Sequence, residues 1–175
     1  EAKLQTLINP VAEVSENAFN IGVLGFKVAV NNGLTVFNLV DGVVDEFHDN
    51  TGVDTSESSN ATYDASADTF SNSTTSMTLI SDTFTANTTP STARIVLFAE
   101  LPDGTSDFTI SATRDNTTFN NITLTDEGYQ AGSSGIKIFS GSTSLTGSSS
   151  PQVQVRWKIV GSSLSGTNKI HGVAL

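Results

Sequence analysis

The amino-acid sequence predicts a mainly β protein in which an N-terminal helical segment leads into an antiparallel β-sandwich of jelly-roll type. Three observations carry that expectation. Beyond Met77, short runs of strand-forming residues alternate with turn clusters. Charged residues make up 15% of the chain, against roughly 25% in an average soluble domain, and Ser, Thr and Asn take their place. The segment before residue 51 differs from the rest, being rich in Val, Leu, Ile and Ala with few hydroxyls.

Taken in order, residues 1–50 read as a helical segment that oligomerises or docks. Asn9 and Pro10 suit a cap and first helical position, and apolar or small residues then recur at Val11, Val14, Ala18, Ile21, Gly25 and Val28. That alternation of three and four fits either a coiled-coil seam or an amphipathic helix lying on the protein's own sheet. The residues assigned to self-association are Val11, Val14, Ala18, Ile21 and Val28, with a homotrimer as the preferred state. Asn31-Asn32-Gly33 is a stop signal, because Asn and Gly tolerate left-handed backbone. In the run LTVFNLVDGVVDEFHD that follows, Val36, Val40, Val43 and Phe47 would share a face of a second helix, although its β-branched residues equally suit a strand.

Residues 51–76 are polar, with Val53, Tyr63 and Phe70 the only sizeable apolar anchors, and read as a connector loop. From residue 77 to 175 the candidate strands are MTLISDTFT, ARIVLFAEL, DFTISATR, TFNNITLT, IKIFSG, QVQVRWKIV and NKIHGVAL. QVQVRWKIV alternates cleanly, putting Val153, Val155, Trp157 and Ile159 on a buried face and Gln154, Arg156 and Lys158 on the other. Strands at this spacing argue for a sandwich or jelly-roll, and the absence of a 40-residue repeat argues against a propeller.

Composition bounds the function. Eighteen acidic residues against eight basic ones give a net charge of −10, a field that repels nucleic-acid phosphates and anionic membranes. No stretch approaches the roughly 20 apolar residues of a membrane span, and the N-terminus lacks the order of a signal peptide. Without cysteine there are no disulfides, thiolate metal sites or cysteine nucleophiles.

Candidate chemistry is sparse, and no cofactor is expected. Asp41, Asp45, Glu46, Asp49, Asp54 and Glu57 crowd a short stretch that could offer oxygens to calcium, and Asp41, Asp45, Asp49 and Asp54 are the candidate ligands. The spacing does not match an EF-hand loop, and a solvated, helix-ending acidic face is the preferred reading. His48 and His171 stand outside any G-x-S-x-G or H-E-x-x-H setting, so neither is assigned to catalysis. Tyr63, Phe70 and Tyr129 could stack on sugar rings or serve the core. N-x-S/T tripeptides begin at Asn60, Asn72, Asn87, Asn116 and Asn121. The stretch TRDNTTF, residues 113–119, resembles an Asp-box turn whose glycine position carries Thr117; a hairpin turn built by Asp115 and Asn116 explains it.

Two longer stretches carry a family resemblance. NLVDGVVDEFHDNTGVDTSESSNATYDASADTF, and the closing run from TRDNTTFNNITLT to VRWKIVGSSLSGTNKIHGVAL, resemble the distal and C-terminal regions of tail-fibre or appendage proteins of tailed phages, many of them marine. The resemblance spans about half the chain. It implies a non-enzymatic virion protein, often trimeric, that meets other virion proteins and a host surface glycan, with the virion or the extracellular space as its location. The alternatives are a capsid decoration protein, an extracellular filament subunit, a carbohydrate-binding module and a polysaccharide-degrading enzyme.

Overall fold

The structure is a computed structural model and describes residues 36–39 and 41–175. Among the described residues thirteen strands follow one another: β1 Val36–Leu39, β2 Gly42–Asp45, β3 Ala61–Asp64, β4 Thr69–Asn72, β5 Ser76–Ile80, β6 Phe84–Thr85, β7 Thr92–Glu100, β8 Phe108–Thr113, β9 Asn120–Ile122, β10 Thr125–Tyr129, β11 Lys137–Ser144, β12 Gln154–Ser162 and β13 Lys169–Ala174. They form two antiparallel sheets. The first runs β1-β2-β13-β7-β11-β10, with the β3–β4 hairpin also attached to β13. The second runs β5-β12-β8-β9, and β6 pairs with β12 beyond the end of β5.

One hydrophobic core lies between the sheets, in a sandwich-like arrangement. Ile95, Leu97, Phe139, Ile170 and Val173 of the first sheet share it with Leu79, Ile110, Trp157 and Ile159 of the second, each 3% exposed or less. Period-two alternation explains the choice. On β7, Ala93, Ile95, Leu97 and Ala99 are buried in this core while Arg94 stays exposed.

The runs predicted from residue 77 onward form strands, with two differences. MTLISDTFT is broken into β5 and β6, which pair with separate stretches of β12. TFNNITLT is not a single strand, because β9 belongs to the second sheet and β10 to the first, the chain crossing at Thr123 and Leu124. Two further expectations are corrected. The second helix is replaced by the β1–β2 hairpin, whose register pairs Val36 with Asp45 and Leu39 with Gly42. Asp41 takes the left-handed backbone (φ 57°) that such a tight turn requires, and β-branched valines on both sides fit pleated backbone better than a helix. The polar stretch 51–76 contains a second hairpin, β3–β4, which pairs with β13 through Ser71↔Lys169 and Phe70↔Ile170. The helix expected nearer the N-terminus, with Val11, Val14, Ala18, Ile21 and Val28, lies outside the described residues.

Candidate functional site

One polar constellation surrounds the turn after β2. Val43 and Val44 anchor that strand, and the chain then places Asp45, fully buried, at the margin of the core. Burial pushes its carboxyl up to about 7; the Phe47 amide opposes the shift, and the charges of Asp49, Glu46 and Asp82 add to it. Its Oδ1 accepts the N–H of Phe47 at 2.9 Å, whereas Oδ2 is buried without a hydrogen bond.

Phe47 is itself fully buried and has φ 59°, a region bulky residues rarely occupy. Its surroundings determine it at every point. Asp45 takes its N–H, the Tyr63 hydroxyl donates to its carbonyl at 2.8 Å, and its ring meets Phe70 and Trp157 edge-on at 5.0 and 6.2 Å. Strain of this kind persists only where packing overrides local preference.

His48 follows and clamps the turn to the β3–β4 hairpin. Its Nδ1 lies 2.9 Å from Asp68 Oδ2, and its Nε2 lies 3.1 Å from Oε2 of the buried Glu46. The hydrogen bond to Asp68 raises the pKa of the imidazole, burial opposes, and the two carboxylate charges raise it further. Both ring nitrogens thus face acids, so the geometry is that of a bridge rather than of a base beside a hydroxyl nucleophile. His171 likewise faces a carboxylate, Glu100, at 2.8 Å.

Arg156 forms a second constellation that the alternation of β12 assigned to solvent. It is 2% exposed. Its guanidinium donates to Asp54 at 2.9 Å, Glu57 at 2.8 Å, Asn116 at 2.9 Å and the Ser81 carbonyl at 2.7 Å. The planar fork satisfies several acceptors at once, which a lysine could not do. Asp54 and Glu57 are 102 and 99 residues away in sequence, so no local pattern announces the cluster.

Asp115 organises a third. Its Oδ1 accepts the amides of Thr117 and Thr118 at 3.0 and 2.7 Å, and its Oδ2 those of Ser148 and Ser149 at 2.7 and 3.0 Å. Burial by itself would raise this carboxyl, but the four amides outweigh it and hold the group well below the usual range. The turn expected from Asp115 and Asn116 is therefore present, with Asn116 left-handed at φ 60°. What the sequence did not reveal is its reach to the loop between β11 and β12.

The calcium candidates are occupied separately. Asp41 accepts from the Asn87 amide at 2.5 Å, Asp49 from the Thr51 amide at 2.8 Å, Asp45 from Phe47, and Asp54 from Arg156 and Ser56. Among the described residues no three Asp, Glu or His side chains are grouped as a metal would need. Of the three candidate aromatics, Phe70 is buried and Tyr63 packs against it at a tilt, ring centroids 5.1 Å apart, while Tyr129 on β10 is 67% exposed. Among the sequon asparagines, Asn72 donates to the Gly166 carbonyl and Asn116 accepts from Arg156. A cleft of about 260 Å³ lined by Val43, Phe84, Val155 and Leu175 opens beside Asp41, and another of about 350 Å³ lies along β8 and β9. The sequence matches no protein-family model and no curated protein.

Proposed function

We propose that the chain is a non-enzymatic structural protein of a tailed-phage virion, an appendage or tail-fibre component that contributes to host attachment. The observation that carries this reading is the strand order. One sheet contains the run β4-β13-β7-β11 and the other β5/β6-β12-β8-β9, with the chain changing sheet after β4, β6, β7, β9, β11 and β12. That order supports a double-sheet jelly-roll, an architecture used by viral capsid and lectin domains, and it agrees in kind with the phage resemblance of the sequence. A jelly-roll hosts many functions, so the reading is tested on assembly. We expect peptides of this chain in purified particles, and a homotrimer by light scattering at micromolar concentration. Particles free of the chain would overturn the virion role, and a stable monomer the trimer.

Tyr129 favours a second reading, a carbohydrate-binding module. It is the one large hydrophobic side chain exposed among the described residues. The Lys137 ammonium sits 5.2 Å from its ring centroid and pairs with Asp126 at 2.7 Å, an aromatic plate with polar neighbours of the kind that receives a sugar ring. A glycan array that responds to the protein and falls silent with Tyr129→Ala would support it; an array silent to the protein itself would remove it.

A further inference from the structure

We infer that the outward face of the first sheet is the seat of the chain's own N-terminal segment, residues 1–35. The alternation that sends Val43, Val173, Leu97 and Phe139 into the core sends Val44, Ala174, Val96, Phe98 and Ile138 the other way. These outward residues are neighbours in register: Ala174 stands opposite both Val44 and Val96, and Phe98 opposite Ile138. They form an apolar stripe across β2, β13, β7 and β11. Val44 and Phe98 each retain 1% exposure, although the core lies on the far side of their sheet. Large side chains on the open face of a two-layer sandwich would be wet, so this stripe needs an apolar cover. The second sheet is more mixed on its outward face, where Thr78, Thr109, Ser111 and Lys158 interrupt Ile80 and Val160, with the Lys158 ammonium 3.8 Å from the Phe119 ring centroid.

Chain path and composition select the occupant. Residues 1–35 lead directly into β1, which pairs with β2 beside Val44, so the segment arrives at the margin of the stripe. It is the part of the sequence richest in Val, Leu, Ile and Ala, and Val11, Val14, Ala18, Ile21 and Val28 recur with the spacing of one amphipathic face. As a helix, 11–28 would measure about 25 Å at 1.5 Å per residue, enough to cross four strands set roughly 4.8 Å apart. Tethering gives this segment an effective concentration that a second copy does not reach at micromolar protein. Seated there, it is not available as the seam of a three-stranded coil, and self-association falls to the sandwich itself. The inference stands independently of the virion role.

The full chain offers a clean test because it has no cysteine of its own. We would pair Ile21→Cys with Val96→Cys on the stripe or, in a control, with Thr109→Cys on the second sheet, and treat each folded protein with a short bis-maleimide. Mixing light and heavy isotope copies separates links within a chain from links between chains. The expected result is a link within one chain for the Val96 pair and not for the Thr109 pair. Links between chains would overturn the inference in favour of a second copy, and no link, or equal linking of both pairs, would overturn it outright. Should the variants fail to fold, amine cross-linking of the unaltered protein gives the same answer. Lys27 should link to Lys169, which flanks the first sheet beside Glu100, and links that favour Lys158 would reject the seat.

Discussion

The carboxylate of Asp45 accepts the backbone N–H of Phe47 at 2.9 Å and so holds a fully buried phenylalanine in left-handed backbone. The same group is desolvated beside Glu46, Asp49 and Asp82, so the burial that accompanies this turn, which the bond only partly opposes, gives it a pH dependence.

Stability should be greatest at about pH 4 to 5. Asp45 has a folded pKa of about 7 against 3.8 for an ordinary aspartate, so between those values the native protein holds a proton that the unfolded chain releases, and stability falls as pH rises across that interval. His48, also raised, contributes stability below its unfolded value that is lost as pH climbs through its folded one. Asp54, Asp115, Asp126 and Asp103, the last lowered to about 2, act in the opposite sense, contributing stability above their unfolded value that is lost as pH falls. Urea midpoints across the range would show this maximum, and Asp45→Asn should flatten the limb above it. A midpoint that climbs steadily from pH 5 to 8 would contradict the assignment.

Arg156→Lys should cost about 2–4 kcal/mol, since one ammonium cannot replace four directed donations and a polar group would be left buried. Asp54 and Glu57 are 24% and 55% exposed and can take up water once released, which keeps the loss below that of a wholly buried pair. Chemical unfolding of the single variants and of Arg156→Lys with Asp54→Asn would give the coupling; full additivity would mean the pair does not interact.

For Asp115→Asn we expect a loss of about 2–4 kcal/mol. An amide presents one acceptor oxygen where the carboxylate presents two, so the amides of Thr117 and Thr118, or those of Ser148 and Ser149, lose their partner. Hydrogen exchange at Ser148 and Ser149 reports which pair is released, and unchanged protection at all four amides would count against the hub.

Gly141→Ala tests how closely β11 approaches the segment that crosses from β9 to β10. A Cβ at this glycine would stand 2.4 Å from the Thr123 carbonyl oxygen and 2.6 Å from Ile122 Cγ2. Because the first of these is backbone, relief requires the chain to shift, and a loss of about 1–3 kcal/mol is expected. An unaltered melting temperature would show that the two segments are further apart.

Much of the strand content was legible because strand formation from residue 77 onward is written in local alternation, and β7 and β12 match their expected runs closely. The turn at Asp115 was legible for the same reason, as its bonds to Thr117 and Thr118 span two and three residues. The run around β1 and β2 is ambiguous in sequence because Val36, Val43 and Phe47 fall at helical spacing while its β-branched residues favour pleated backbone. Pairing of β2 with β13, at the other end of the chain, decides between them.

Residue type and short-range period were enough to establish a mainly β chain with an apolar lead and a neutral polar surface. Long-range packing was needed to establish that Arg156 faces acids instead of water, that Asp45 is buried beneath a strained Phe47, and that a stripe from Val44 to Ile138 lies outside the core. Each of these depends on which distant segment covers a given face. Alternation assigns a side chain to one side of its sheet, but the fold alone determines whether that side is wet.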